Sequence, residues 1–212
     1  MAKVLLDMLG AIIGSVGKVS YYMRYSDNIA RRKGAGGKSS NSPAAVEQRM
    51  KFGMLIQLAT ILQTIITQGF PQRKRGLSAA NAFVSINKDI CSVEGNVLTV
   101  DYEQLLCANG QLLTPEVTVT YSTENQKFSF EQTAPEEESN SNADDKVYAV
   151  LLESNQGLCR LKTLRQRGES GSTSIALPQR WEKEHVHVYV FATSADGKKA
   201  SKSMYLTVEE GV

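Results

Sequence analysis

Chemistry-bearing side chains are scarce in this chain. Histidine occurs twice in 212 residues, as His185 and His187, and cysteine three times. Two histidines two positions apart offer little for acid–base catalysis, which needs a titratable group held beside its substrate proton. No serine stands in a GxSxG turn, and no cysteine has a recognisable catalytic setting. Cys91, Cys107 and Cys159 are odd in number and none lies in a CxxC, so neither a disulfide framework nor a zinc knuckle follows. Cys91 and Cys107 could pair if their strands meet, but buried free thiols in a reducing compartment are the expectation. Glu136, Glu137 and Glu138 stand consecutively in a soft loop, a poor way to hold an acid at a fixed distance from a base. These absences exclude most enzyme classes. The sequence reads as a non-enzyme with no catalytic residue, no metal and no cofactor.

Long uncharged runs are equally few. Phe52 to Gln72 carries no charge and is long enough to cross a bilayer. Gln57, Thr60, Gln63, Thr64, Thr67 and Gln68 interrupt it, and each would be costly in hydrocarbon. A buried core helix is expected there, not an integral membrane span. Met1 to Gly17 opens with Lys3 and an apolar run, but Asp7 breaks the run and no small-x-small cleavage site follows. A cytoplasmic location is therefore favoured over secretion.

What is present changes character near residue 90. Residues 1–89 hold 13 Lys/Arg against 4 Asp/Glu, and the remainder holds 11 against 18. A basic half attracts nucleic acid, anionic lipid or an acidic protein, and the two halves also partly neutralise one another. Val19 to Arg24 and Ile29 to Lys33, joined by Ser26-Asp27-Asn28, predict a β-hairpin. A hairpin alone is marginal and must lean on something. After the Gly/Ser-rich stretch from Gly34 to Asn41, Ser42-Pro43 is a helix start. Val46, Met50, Met54, Leu58, Ile61, Leu62 and Ile65 then recur at three- and four-residue steps until Gly69 and Pro71. Ser78 caps a shorter helix with Ala79, Ala82, Phe83 and Ile86 inward.

Beyond Gly95 the period becomes two. Val97 to Val100 reads as a short strand and Asp101 to Cys107 as a helical turn. Val117, Val119 and Tyr121 alternate with polar residues, and Phe128 and Phe130 repeat the pattern. Lys146 to Glu153 and Val186 to Ala192 are apolar on both faces, which predicts a sheet covered on its outer side. Asp196-Gly197 is a hairpin turn, and Met204 to Val208 closes the sheet. The expected fold is α+β: an N-terminal β-hairpin and two helices packed on a C-terminal immunoglobulin/fibronectin III-like β-sandwich. Residues 1–95 form the first part and 96–212 the second.

Several short motifs run through this order. They are Gly17-Lys18-Val19, Arg31, Ser42-Pro43, Arg49, Lys51-Phe52, Val100-Asp101-Tyr102, Gly110, Val188-Tyr189-Val190 and Ser203-Met204-Tyr205-Leu206. Together they resemble an uncharacterised family of small bacterial proteins, a domain of unknown function. The chain has Ala45 where that family often has Gln. The resemblance implies no activity. The last strands also resemble a fibronectin III or immunoglobulin-like sandwich, with Ala176-Leu177-Pro178 at the corner between its fifth and sixth strands. The corner tyrosine of such folds is missing, since Glu184 or Val186 stands near its place.

Three groups of residues invite a chemical reading. Gly34 to Ser39 ends like a phosphate-binding loop, but a Walker loop needs Gly where Arg32 stands and a strand–loop–helix crossover. His185 and His187 project from one face if both lie on a strand, and with a third ligand could hold a metal; a half-exposed face beside Tyr189 is the plainer reading. The basic hairpin carries more weight. Lys18, Arg24, Arg31, Arg32, Lys33 and Lys38 cluster with Tyr21, Tyr22 and Tyr25, and aromatics between cations can stack on bases while cations meet phosphates. Lys18, Tyr22, Arg24, Arg31, Arg32 and Lys33 are the candidate binding residues. An unidentified protein is the first expected partner and nucleic acid the second; a surface adhesion or carbohydrate-binding module is a further alternative. Oligomeric state is open.

Overall fold

A computed structural model describes residues 2–4, 10–24, 26–34, 40–95, 97–135 and 140–210. It divides into two compact units, residues 1–45 and 46–212. The boundary expected near residue 95 is not where they part. The helices after residue 46 share a hydrophobic core with the sandwich and so belong to its unit.

The first unit is a four-stranded antiparallel sheet. Its strands are β1 (Ala2–Val4), β2 (Gly14–Val16), β3 (Val19–Arg24) and β4 (Asp27–Arg32), in the order β1-β4-β3-β2. The expected hairpin is its centre, with Val19 opposite Arg32 and Arg24 opposite Asp27. The apolar segment from Met1 to Gly17 supplies both outer strands. Gly17, at a φ of 54°, opens the two-residue turn between β2 and β3, a conformation that disfavours any residue with a Cβ. Among the described side chains of residues 10–34, Asn28 and Ile29 alone are buried. The Asn28 amide donates to the carbonyl of Ile12 at 2.8 Å and ties the approach to β2 onto β4. Ile13 and Val16 remain exposed, at 73% and 68%.

The second unit begins within α1 (Pro43–Ile61), which starts at the Ser-Pro signal. After Leu62, α2 (Gln63–Gly69) continues at an angle of 84°. The backbone bonds Leu62 to Leu58 and Ile66 to Leu62 bridge the bend, so the expected single helix is a bent pair. Leu55, Leu58, Ala59, Leu62, Ile65 and Ile66 are buried, while Gln57, Thr60, Gln63, Thr64, Thr67 and Gln68 are all exposed. Bending lets both segments keep the apolar side against the core. No single helix is long and apolar enough to cross a membrane; the bent pair meets that test by length and composition only. Gly69 closes α2 because a Cβ there would lie 2.4 Å from the carbonyl oxygen of Cys107. In α3 (Ala79–Ile86), Ser78 caps the helix by accepting from the Asn81 amide at 3.1 Å. The fully buried Asn87 side chain donates to the carbonyls of Phe83 and Leu106 and accepts from the Leu106 amide.

A two-stranded ribbon, β5 (Cys91–Glu94) with β6 (Val97–Val100), leads into the sandwich. Between ribbon and sandwich, the expected helical turn is an irregular loop. Asp101 instead accepts from the amides of Glu103 and Gln104, a side-chain turn that competes with helix. The sandwich strands are β7 (Val117–Ser122), β8 (Lys127–Gln132), β9 (Lys146–Glu153), β10 (Leu158–Gln166), β11 (Gly171–Ala176), β12 (Val186–Thr193), β13 (Met204–Leu206) and β14 (Glu209–Glu210). One sheet has the order β10-β9-β12-β13 and the other β11-β8-β7-β14, with β14 parallel to β7. Read in chain order, β7 to β13 occupy the A, B, C, C′, E, F and G places of a fibronectin III-like sandwich.

The two strands predicted to be apolar on both sides lie at the centre. Val147, Ala149, Leu151, Val188, Val190 and Ala192 pack between the sheets with Val119, Phe128 and Phe130. Val150, Leu152, Tyr189 and Phe191 point the other way, into a core with the helices. At the corner before β12, where no tyrosine stands, the Trp181 amide donates to the carbonyl of Pro178 and its side chain packs against the inter-sheet core. On the open seam between β10 and β11, guanidinium nitrogens of Arg160 and Arg165 lie 3.4 Å and 3.5 Å from the carbonyls of Ala176 and Ser172.

Replacing Ile66 by Ala removes a fully buried side chain between helix and sheet, and the expected cost is about 2–5 kcal/mol. Phe52→Ala on the exposed side of α1 should stay within about 0.5 kcal/mol. Denaturant midpoints of the two variants measure the difference.

Candidate functional site

The register of the N-terminal sheet distributes the six candidate residues. Tyr22, Arg24 and Arg31 lie on one face, since Ser20 pairs with Arg31 and alternate residues of β3 share a side. Arg32, opposite Val19, lies on the other face with Tyr21. Lys18 sits in the β2–β3 turn, and its carbonyl accepts from the Lys33 amide at 2.8 Å. Lys18, Arg31, Arg32 and Lys33 thus gather at one end of the sheet, with Arg24 at the other. Tyr22 stands between Arg31 and Arg24 along the strand. Arg24, Arg31, Arg32, Lys18 and Lys33 are exposed and Tyr22 is half-buried. Tyr25, Lys38 and most of the glycine loop ending at Ser39 fall outside the described residues, as do Glu136 to Glu138.

The histidines do not form a matched pair. His185 lies in a short 3-10 turn, Lys183–His185, with its Nε2 3.5 Å from Glu182. His187 is on β12, stacked on Tyr102 at a centroid distance of 4.1 Å. Among the described residues no group of three or more His, Cys, Asp or Glu could hold a metal. Burial and the neighbouring His185 charge push the His187 pKa down, while Glu153 pulls the other way. The three cysteines are free. Burial pushes the Cys107 thiol up to about 12 and raises Cys91 and Cys159 as well, so none is primed as a thiolate nucleophile. Cys159 is spent on structure, its Sγ donating to the carbonyl of Ile61 at 3.0 Å.

One charged pair is wholly internal. Arg167 meets Asp145 at 3.1 Å, and both side chains are buried. Arg167 also donates to the carbonyl of Leu113 at 2.7 Å, and Asp145 accepts from the Asn142 amide at 3.1 Å. These bonds pin three loops together.

A small cleft of about 110 Å³ lies between α1 and the turn joining β9 to β10. Met54, Gln57 and Ile61 line one side, Tyr102 and Asn155 another, with Glu153 behind them. Ligand pockets for drug-sized molecules run to roughly 300–1,000 Å³. The cleft has room for one side chain. Sequence reasoning placed Tyr102 in a motif but missed the cleft, which brings α1 together with the distant β9–β10 turn.

The fold defines an α+β protein whose body is a helix-covered β-sandwich. The chain belongs to a family of unknown function, DUF6266, whose model matches residues 4–207. No curated protein matches it. Among solved structures, the adhesin domain of Epf from Streptococcus pyogenes shows 15% identity over 47% of this chain, with a TM-score of 0.32. The aligned part spans 33% of that chain.

The depressed His187 pKa carries a pH consequence. The unfolded chain binds the proton more readily than the folded one, so stability is full above the ordinary histidine value of 6.5 and falls as pH drops below it. Thermal melts between pH 8 and pH 5 should show this decline. His187→Gln should flatten it.

Proposed function

We propose that this protein is a non-catalytic binding protein that meets another macromolecule through its basic N-terminal sheet. The observation that carries this reading is the exposure of that sheet. Its described side chains bury little, yet it presents cations on both faces around the apolar residues Val16, Val19 and Met23. The apolar residues left exposed among its described side chains would be covered by a partner. The cations then select for acidic groups at the rim and speed encounter. Lys18, Arg31, Arg32 and Lys33 form the main contact, with Tyr22 and Arg24 extending it. An acidic protein is the first partner on this reading. The unpaired cysteines support a reducing, cytoplasmic setting.

Nucleic acid is the second reading, favoured by Tyr22 between Arg24 and Arg31 on one face. An aromatic flanked by cations can stack on a base while the cations meet phosphates.

Changing Arg24, Arg31 and Arg32 together to Ala tests both. Capture of a partner from the native cells, followed by titration with the purified partner, should weaken by about tenfold or more. The melting temperature should hardly move, because all three side chains are exposed. Unchanged capture defeats the proposal. Oligonucleotide titrations at stepped salt separate the two readings, since phosphate contacts give a steep fall in affinity with salt.

A further inference from the structure

We propose that the cleft between α1 and the β9–β10 turn takes an alkylammonium group, of the kind carried by a lysine side chain. The site lies within the second unit and has a polarity opposite to that of the basic sheet. Met54, Leu58 and Ile61 give it an apolar wall suited to a methylene stem. Gln57 and Asn155 bring amide oxygens that can accept from an ammonium.

The charge comes from behind. Glu153 is 0% exposed, and among the described residues no lysine or arginine forms an ion pair with it. Its carboxylate is held by the backbone amides of Asn155 and Gln156. Such bonds keep the anion in place without cancelling its charge. A buried anion with no cation is unusual, and its field is weakly screened by protein. The nearby cation Lys51 is engaged with Glu47 at 2.6 Å. An ammonium in the cleft therefore meets an apolar wall for its stem, amide oxygens for its head and the negative potential of the Glu153 carboxylate.

Full-length ¹⁵N-labelled protein titrated with three probes tests this. The probes are Nα-acetyl-lysine amide, pentylamine and the uncharged Nα-acetyl-norleucine amide. The first two should shift the amide resonances of Tyr102, Asn155 and Gly157, and norleucine should not at equal concentration. Glu153→Gln should weaken the lysine probe by about tenfold. If that variant fails to fold, the lysine–norleucine contrast on the unaltered protein decides. Tighter binding of the lysine amide than of pentylamine identifies a partner's side chain as the source, and the reverse identifies a free amine. Equal shifts with norleucine, no shifts up to the solubility of the probes, or shifts confined to other surfaces would overturn the proposal. Loss of the Arg24, Arg31 and Arg32 contact has no bearing on this result, so the two proposals fail independently.

Discussion

The body of this protein depends on two adjacent strands that are apolar on both sides. β9 and β12 pair along their whole length, from Val186 with Glu153 to Thr193 with Lys146. One side of the pair faces the second sheet and the other faces the helices. Either layer alone would leave several large side chains in water, at a cost of roughly 1.5–3 kcal/mol for each one fully exposed. The helices are thus part of the sandwich's stability. The polar anchors follow the same logic: the Tyr189 hydroxyl, deep in the helix-side core, finds the carbonyl of Tyr102 at 2.7 Å.

Much of this was legible in the residues. The double-sided composition of Lys146 to Glu153 and Val186 to Ala192 announced a covered sheet, and the broad stripe after Ser42-Pro43 announced its cover. The polar residues that argued against a membrane span are the ones that ended up in solvent. The bend at Leu62 was not legible, because no Gly or Pro marks it; it arises from fitting an apolar stripe onto a twisted surface. β10 and β11 also escaped notice. In β10 the alternation holds from Leu158 to Lys162 with only Cys159 and Leu161 turned inward, and it breaks at the irregularity between Thr163 and Gln166. β11 opens with Gly171-Ser172-Thr173-Ser174, weak in local signal, and only Ile175 of its side chains is buried; its pairing with β8 is set by the rest of the sheet.

The candidate surfaces were visible to different degrees. A run of cations in a hairpin can be read directly from residues 18–33. Their division between two faces needed the register, which places Arg31 and Arg32 on opposite sides. The cleft beside Glu153 could not be read at all. It joins residues from α1, from the loop after β6 and from the β9–β10 turn, and its charge is meaningful only because the carboxylate is buried. Sequence conveys charge; burial gives that charge its reach.

The seam between β10 and β11 has a final implication. A terminal strand with vacant carbonyls is a template on which another chain can grow, and sandwich proteins are exposed to that hazard. Here Arg160 and Arg165 occupy the vicinity of two such carbonyls on β11 with positive charge. An incoming strand would have to displace both guanidinium groups before it could form its first rung. The arrangement makes this edge a poor template for a further strand.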